Sequence, residues 1–361
     1  MSTPDGEPVE IHEYQGDGAD WNAFAITHPG SRFCHLSQYS KVVEAAYGYR
    51  PLNVVARRGD AIVAILPTCV ASSLLFGRRI VSQPFSEYGG LLSAGLGDLD
   101  LERLFQSLRA SGSRLRATQI EIHGSSGFPE RLARNYFTLA NPYGCAVLKL
   151  GSDPDRLRRE VFDHQVRAAL QKAHRGGVTS FEDHSPEIMR RHFWPLFLRS
   201  MKRLGSPPHP FAYFSGLQRL YPEELKVFWA RIGSELVAAL LGFAVGKRIQ
   251  ITNIVSDERY WDLRTNDLVH WEFIKWGCEN GYDAFDLGSV RYHGQFRFKK
   301  KWGAEIHEAG YHVATVEPGR PIHTLNSSSR HLAAAATVWS RCVPLWATPL
   351  VGPPIRKHLI R

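Results

Sequence analysis

The sequence lacks the cysteine pattern of a metal finger or of a disulfide scaffold. Its five cysteines include no CxxC pair, and an odd number cannot all pair within one chain. A reducing compartment is therefore expected. The first 20 residues contain acidic side chains and no apolar segment, and no uncharged apolar run approaches the ~20 residues of a membrane-spanning helix. These absences predict a cytoplasmic protein without a signal peptide.

Several catalytic and cofactor-binding motifs are also missing. The chain has no GxSxG nucleophile elbow, no P-loop, no GxGxxG fingerprint and no HExxH zinc motif. Its 16 histidines are scattered, and the sequence pairs none of them into a metal site. We therefore expect neither a hydrolase triad nor a bound metal or cofactor.

Positive charge is concentrated in the second part of the chain. Residues 1–150 hold 14 basic and 14 acidic side chains, whereas residues 151–361 hold 30 basic and 21 acidic ones and so carry the whole net charge of +9. This asymmetry favours an anionic partner such as nucleic acid, a phosphorylated substrate or an anionic membrane. The alternative is a surface that is merely soluble.

Apolar periodicity predicts strands alternating with helices in both parts of the chain. Asp60–Val70 is almost continuously apolar, which is typical of a sheet buried on both faces. One helix is predicted over Leu157–Arg175, ended by Gly176 and Gly177, and three strands follow between residues 225 and 255. This order indicates an α/β or α+β fold. The length suits two domains, which we place at residues 1–150 and 151–318, with a separate tail at 319–361.

An internal echo supports two similar domains. Gly59–Leu66 resembles Gly233–Leu240, and Gly77–Ile80 resembles Gly246–Ile249. Any hairpin with a glycine turn and alternating apolar residues looks alike, so coincidence is the alternative. If the echo reflects a duplication, a ligand cleft is expected where the two domains meet.

The segment from Asp286 to Ala304 carries the strongest chemical signal. A strand ends in Asp286, a glycine turn and Arg291, and a basic stretch follows between Phe298 and Trp302. If Lys299 is held between these two rings, its partly desolvated ammonium acts more strongly on a bound anion or a developing oxyanion. The alternative is a solvated run of lysines with Trp302 in the core.

Two further segments are candidate anion sites. The stretch that begins at Asn253 connects a strand to a helix N-terminus, but it contains no glycine that would let the backbone approach a pyrophosphate closely. A capped helix start, with Asn266 or Asp267 as the cap, is the alternative. In the helix predicted over Leu157–Arg175, Arg167 and Arg175 share one face, which fits either a phosphate site or a solvated surface.

These segments resemble the FemAB family of peptidoglycan-bridge aminoacyltransferases within the GNAT acyltransferase superfamily. The resemblance rests on YDAFDLGSVRYHGQFRFKKKWGAE, NIVSDERYWDLRTNDLVHWEFI and VRAALQKAHRGGV, and it spans most of residues 20–315. The tail WSRCVPLWATPLVGPPIRKHL is similar to FemAB-like proteins associated with exosortase and exopolysaccharide loci. The resemblance implies two tandem GNAT-like domains, with mixed central sheets flanked by helices.

It also implies an activity and a set of site residues. FemAB enzymes move an aminoacyl group from aminoacyl-tRNA to an amine of a cell-wall precursor, so the substrate supplies the nucleophile. By this resemblance Lys299 stabilises the charge on the attacked carbonyl and Phe298 shapes the pocket. The substrate-binding residues are then expected to be Arg167, Arg291, Asp286, Asn253 and Trp302.

Departures from the family pattern leave the donor open. The charge-rich heptads of a tRNA-holding helical arm are absent between about residues 160 and 230, and Tyr39, His164 and His174 stand where other residue types are expected. The donor is aminoacyl-tRNA or acyl-CoA. Besides transfer to an envelope or exopolysaccharide precursor, the alternatives are acyl-CoA-dependent acetylation of a small amine and a non-catalytic binding protein of a polysaccharide biosynthesis complex.

The tail between residues 332 and 361 is apolar and basic. Its four prolines, at positions 344, 349, 353 and 354, exclude one continuous helix. Its tryptophans and its basic end suit the surface of an anionic inner membrane. The alternative is that it packs back on the catalytic domain.

Overall fold

The computed structural model describes residues 7–74, 76–125, 128–322 and 330–360. The chain divides into two compact units. Unit 1 comprises Met1–Tyr143, Glu308–Ser327 and Lys357–Arg361, and unit 2 comprises Gly144–His307 and Ser328–Arg356. Each unit contains a mixed sheet flanked by helices, which confirms the predicted α/β (α+β) class.

Strands and helices alternate along most of the chain. The strands are β1 (Val9–Glu13), β2 (Arg50–Pro51), β3 (Val54–Arg58), β4 (Ala61–Leu66), β5 (Thr68–Ser73), β6 (Gly77–Ser82), β7 (Leu92–Ser93), β8 (Gln119–Ser125), β9 (Thr138–Lys149), β10 (Thr179–Glu182), β11 (Leu225–Ile232), β12 (Glu235–Val245), β13 (Arg248–Ser256), β14 (Ala284–Val290) and β15 (Glu305–Thr315). The helices are α1 (Ala19–Thr27), α2 (Ser37–Tyr47), α3 (Asp98–Arg114), α4 (Glu130–Tyr136), α5 (Pro154–Glu160), α6 (His164–Arg175), α7 (Pro186–Ile188), α8 (Trp194–Arg203), α9 (Phe211–Leu220), α10 (Thr265–Glu279), α11 (His293–Lys301), α12 (Arg330–Cys342) and α13 (Thr348–His358).

Unit 1 contains two sheets. Strands β1, β3, β4 and β7, in that order, form a small antiparallel sheet. In the second sheet β2, β5 and β6 pair antiparallel, β6 then pairs parallel with β8, and β8 pairs antiparallel with β15. Helix α3 connects β6 to β8 and buries one apolar stripe, including Leu104, Phe105 and Leu108, against Ile80 and Ile120 of those strands.

Unit 2 is organised in the same way around α10. Strands β10, β11, β12 and β13 form an antiparallel meander, α10 returns the chain so that β14 pairs parallel with β13, and β9 pairs antiparallel with β14. Helix α10 is buried over most of its surface, and its Phe273 packs between Phe228 and Phe285 of the sheet. This burial fixes where the helix begins, close to the end of β13.

The parallel strands of each unit pair over only three residues. In unit 2 the pairing joins Arg248–Gln250 to Ala284–Asp286, although β13 continues to Ser256 and β14 to Val290. In unit 1 it joins Arg79–Val81 to Gln119–Glu121. Each unit therefore has two adjacent parallel strands that do not pair with each other at their carboxyl ends. Open α/β sheets bind ligands at this position.

The internal echo corresponds to a shared hairpin geometry. The β3–β4 and β11–β12 hairpins turn at Gly59 and Gly233, whose φ angles of 55° and 56° are left-handed. Both hairpins also contain a register shift two residues before the first strand ends. Beyond the turn, β12 is one continuous strand. The corresponding stretch of unit 1 is divided into β4 and β5 at Pro67, which has no backbone N–H to donate to a neighbouring strand.

Two sequence-based expectations are corrected by the structure. The apolar run Asp60–Val70 forms two strands, and the helix predicted over Leu157–Arg175 is two helices, α5 and α6. The chain breaks between α5 and α6 because the Asp163 side chain accepts the Gln165 N–H at 2.7 Å and so starts a new helix. The predicted absence of one continuous helix in the tail is confirmed, since α12 and α13 are separate, although Pro353 and Pro354 lie inside α13.

Replacing Gly242 by Ala tests the packing of α10 on the sheet. Gly242 lies at a register shift in β12, and a Cβ there would stand 2.8 Å from both the Gln250 carbonyl oxygen and the Phe273 ring. We expect Gly242→Ala to lower the free energy of unfolding by about 2 kcal/mol in denaturant titrations. Gly151→Ala is the matched control, because a Cβ at Gly151 meets nothing within 4 Å. Equal stability of the two variants would contradict this packing.

Candidate functional site

The candidate site is built on the end of β14, where its pairing with β13 has stopped. Asp286 is buried, and its Oδ1 accepts the backbone N–H of Gly288 at 2.8 Å. Gly288 adopts a left-handed φ of 78°, and the register of β14 against β9 shifts between Asp286 and Ser289. The predicted acid therefore shapes the turn that ends the strand, and glycine is required there because of its conformation.

Lys299 lies over this turn. Its side chain extends from α11 so that Nζ donates to the Ser289 carbonyl oxygen at 2.6 Å, and only 9% of the residue is exposed. A buried ammonium next to a backbone carbonyl is a positive charge fixed in a low-dielectric environment. Such a charge can stabilise an oxyanion without having to reorganise during the reaction.

Phe298 and Trp302 lie on a different side of α11 from the Lys299 ammonium. Both rings pack against His270 of α10, with ring centroids 5.3 and 5.7 Å away, and Trp302 also meets Phe162 edge-on at 5.0 Å. The expected bracketing of Lys299 by the two rings is therefore not the observed arrangement. Lys299 is desolvated by the end of β14, while the two rings fix the orientation of α11 against α10.

A cavity of about 450 Å³ opens on the aromatic side of α11. Its lining comes from the beginning of α6, the beginning of α10 and the end of α11: His164, Gln165, Val166, Ala168, Ala169, Lys172, Arg264, Asp267, Phe298, Lys301 and Trp302. Four of these side chains are basic types and one is acidic. The volume lies in the range of small-molecule sites, and two helix N-termini add positive potential. The cavity is therefore suited to an anionic group.

Two polar groups of this cavity, the half-buried Asp267 and the buried Trp302, have unusual environments. Burial raises the pKa of Asp267, although the nearby charges of Arg264 and Lys301 oppose the shift. The Trp302 Nε1–H is buried and donates to no atom in the described part of the chain. An unpartnered buried donor is costly, and a polar ligand atom in the cavity would satisfy it.

His270 is the titratable group enclosed by these rings. Burial lowers its pKa to about 4, and the positive charge of Lys299 acts in the same direction. Its Nδ1 lies 2.7 Å from the Asn266 carbonyl oxygen, so Nδ1 carries the proton of the neutral ring. His270 is therefore neutral near pH 7.

The other predicted residues occupy varied positions. Asn253 is half-buried on β13, three residues beyond the last pair with β14. Arg291 is exposed between β14 and α11, and its backbone N–H donates to Gln295 Oε1 at 2.8 Å. Arg167 donates to the carbonyl oxygens of Phe162 and Arg159 at the junction of α5 and α6, and it does not line the cavity.

The sequence reasoning missed most of the basic side chains of the cavity as a group. It selected the α6 face that holds residues 167, 171 and 175, whereas the cavity is lined by His164, Ala168 and Lys172. The two faces differ by about 60° around the helix axis. The spacing of His164 and Lys172 was visible in the sequence, but the face of α6 that meets α10 was not.

Unit 1 contains a smaller cavity of about 160 Å³, which the sequence analysis did not identify. It is lined at the end of β8 by His123 and Gly124, and elsewhere by His28, His35 and the stretch from residue 88 to 93. Beneath it Glu121 lies 3.2 Å from Arg79 and 2.9 Å from His123, and all three side chains are buried. The cavity of unit 1 is therefore lined at the end of a strand, whereas the larger cavity of unit 2 is lined by helices.

The described residues contain neither a candidate membrane span nor a candidate metal cluster. No helix in residues 7–74, 76–125, 128–322 and 330–360 is long and apolar enough to cross a membrane. Within the same ranges, no three His, Cys, Asp or Glu side chains cluster in a way that could hold a metal ion.

Comparison with known proteins identifies a domain and a fold. Residues 159–300 match a family model described as an acetyltransferase (GNAT) domain. The crystal structure of FemX is similar with a TM-score of 0.67 at 13% identity, covering 84% of this chain and 96% of that one. A search of curated proteins found no match.

Two other solved structures share the fold. The C-terminal domain of a putative lysylphosphatidylglycerol synthetase from Agrobacterium fabrum has a TM-score of 0.56 at 13% identity, covering 91% of this chain and 97% of that one. A tandem GNAT protein from the clavulanic acid biosynthesis pathway has a TM-score of 0.55 at 11% identity, covering 87% and 100%. The family model confirms the predicted GNAT resemblance and supports the acyltransferase class of enzyme, and the solved structures confirm that the chain shares its fold with FemX and with a tandem GNAT protein.

The neutral state of His270 predicts a pH dependence of stability. Its pKa is about 4 in the folded chain, below the ordinary 6.5. Its contribution is therefore complete above pH 6.5 and is lost as the pH falls towards 4, because the unfolded chain binds the proton first. We expect His270→Phe to reduce the acid-induced loss of unfolding free energy by about 3 kcal/mol. Exposed His164, changed to Gln, is the control, and identical pH profiles for the two variants would contradict a neutral His270.

Proposed function

We propose that this chain, an acyltransferase with a GNAT domain in residues 159–300, transfers an aminoacyl or acyl group to an amine of a cell-envelope or exopolysaccharide precursor. Residues 151–318 would form the catalytic domain and residues 1–150 a second GNAT-like domain. The observation that carries the proposal is the buried Lys299 ammonium, held on the Ser289 carbonyl oxygen where β14 no longer pairs with β13. This charge lies at the end of two parallel strands, where ligands bind in such sheets.

The reaction needs no protein nucleophile. The neutral amine of the acceptor attacks the donor carbonyl carbon, a C–N bond forms, and the carbonyl oxygen becomes an oxyanion that Lys299 stabilises. The oxyanion then collapses, the bond to the donor oxygen or sulfur breaks, and the amine proton passes through solvent to the leaving group. Acceleration would come from positioning the two substrates and from this charge stabilisation.

The cavity beside α11 is the proposed site for the phosphate groups of the donor. Its basic side chains His164, Lys172, Arg264 and Lys301 suit a polyanion. The chain between β13 and α10 has no glycine, and Arg264 itself adopts a left-handed φ of 58° before the helix. Side-chain cations would therefore replace the close backbone wrap of a pyrophosphate loop, which favours aminoacyl-tRNA. Acyl-CoA acting on a small amine is the second candidate.

The remaining predicted residues would contact the substrates. Phe298 and Trp302 line the cavity, with the Trp302 Nε1–H available to a ligand oxygen. Asn253 and Arg291 would reach the acceptor from β13 and from the start of α11, and Asp286 would hold the turn beneath Lys299. Arg167 is engaged with backbone carbonyls, so the proposal does not depend on it.

The proposed acceptor is a precursor of the cell envelope. Two proteins of similar fold carry names that concern the envelope, FemX and a putative lysylphosphatidylglycerol synthetase. The proposed location is the cytoplasm, with residues 332–361 in peripheral contact with the anionic inner face of the cell membrane. A protein that binds a precursor without catalysis is the remaining alternative.

Ligand-induced thermal stabilisation identifies the donor. A ligand at 100 times its Kd adds about 2.7 kcal/mol to the free energy of unfolding. We expect an aminoacyl-tRNA to stabilise the chain, and Arg264→Gln with Lys301→Gln to weaken that effect at least about tenfold in Kd. The control is Lys275→Gln, because Lys275 lies on α10 but does not line the cavity. Stabilisation by CoA thioesters alone would replace the first candidate by the second.

Substitution of Lys299 tests the catalytic role. Lys299→Met keeps much of the side-chain volume and removes the charge, so we expect kcat/KM for acyl transfer to fall about 100-fold or more. Stabilisation by the donor should persist, because the cavity is unchanged. Exposed Lys300, changed to Met on the same helix, is the matched control. Full activity of Lys299→Met would show that the site lies elsewhere or that the protein is a binding protein.

A further inference from the structure

The last part of the chain has an extreme charge composition. Residues 318–361 contain six Lys and Arg residues and no Asp or Glu. Their net charge is +6 in about an eighth of the length, and one of the six, Arg320, pairs with Glu317 just outside the segment at 2.6 Å. A segment of this kind attracts an anionic surface over distances near the Debye length.

The two tail helices and the short turn between them also expose large apolar side chains. Trp346 is 74% exposed, Leu350 68% and Val338 58%. Four further exposed side chains lie in the same stretch, and we call the whole set the tail surface: Val338, Arg341, Leu345, Trp346, Leu350, Val351 and Ile355. Single exposed apolar residues are ordinary, but a concentration within 18 consecutive positions (338–355) indicates an interaction site.

Other positions of the same helices are fixed on unit 2. Trp339 is buried, and Ser340 accepts a hydrogen bond from Lys202 Nζ through its carbonyl oxygen at 2.5 Å. Gly352 lies so close to Pro208 that a Cβ would stand 2.3 Å from its ring. Some residues of the tail therefore pack back on unit 2 while those of the tail surface stay exposed, so the two alternatives raised by its sequence are compatible.

The form of the tail fits the surface of a bilayer. Helices α12 and α13 have 13 and 11 residues, which is too short to span the hydrocarbon core. Helices of this length lie in the interface, with tryptophan at the headgroup level and basic side chains on anionic lipid. A second copy of the chain is a poorer partner, because two acid-free basic segments would face each other.

We propose that the tail surface docks this protein on an anionic lipid bilayer. Trp346, Leu345 and Leu350 enter the headgroup region, and Arg341 meets the lipid charge. The docking needs no catalytic activity, so it stands or falls independently of the proposed acyl transfer.

Vesicle co-sedimentation tests this docking with the full chain. We expect binding to vesicles of phosphatidylcholine with phosphatidylglycerol, weaker binding to phosphatidylcholine alone, and release at high salt. Trp346→Ser with Leu350→Ser should weaken binding at least about tenfold, because both apolar contacts are lost. The matched control is Ile26→Ser with Leu99→Ser, since these unit 1 side chains are 47% and 71% exposed. Arg341→Glu should weaken binding only to the anionic vesicles.

The outcomes separate the proposal from its rivals. Failure of the unaltered chain to bind either vesicle would overturn it, as would equal binding by the tail variant and the control. Sedimentation velocity without lipid provides a further check. A dimer that the tail substitutions dissociate would assign the tail surface to a second copy instead. Thermal unfolding of the same variants without any ligand should give an unchanged Tm, which confirms that the tail variant is folded and keeps failure of docking distinct from failure of the proposed transfer.

Discussion

Pairing between β13 and β14 stops after Gln250 and Asp286, and the geometry of the candidate site depends on that interruption. Because the Asp286 carboxylate accepts the Gly288 N–H, β14 turns and its register against β9 shifts. The Ser289 carbonyl oxygen then accepts a hydrogen bond from Lys299 Nζ. Helix α11 can bring Lys299 to this point only because Trp302 is held by aromatic contacts on the other side.

Burying the Lys299 ammonium has a thermodynamic cost, which polar partners such as the Ser289 carbonyl oxygen offset. Positive groups also gather in the neighbouring cavity, where burial raises the pKa of the one acid, Asp267. An arrangement of this kind favours an added negative charge over the empty state. Functional sites commonly lower the stability of a protein because their charges are fixed in place before a ligand binds. In unit 2 the surrounding aromatic core supplies the compensating stability.

The two units contain the same short parallel strand pair, but the acid at the end of the pair has different surroundings in each. Each joins two parallel strands over three residue pairs, and each places an acid at the last pair, Glu121 in unit 1 and Asp286 in unit 2. Asp286 accepts the backbone N–H of Gly288, and the Ser289 carbonyl oxygen of the same turn accepts Lys299 Nζ. Glu121 lies in the core with the Arg79 guanidinium and the His123 ring as its partners. The same parallel pairing of three residues therefore holds two different electrostatic environments.

The sequence by itself determined the hairpins, the glycine turns, the division of the tail by its prolines and the segment that carries Lys299, because each depends on neighbouring residues along the chain. Only the tertiary structure decided which helix faces meet. Periodicity places His164 and Lys172 on one face of α6 and Arg167 and Arg175 on another, but it cannot say which face meets α10. For the same reason Lys299 contacts β14 instead of lying between two rings, since the packing of α11 is set by residues distant in sequence.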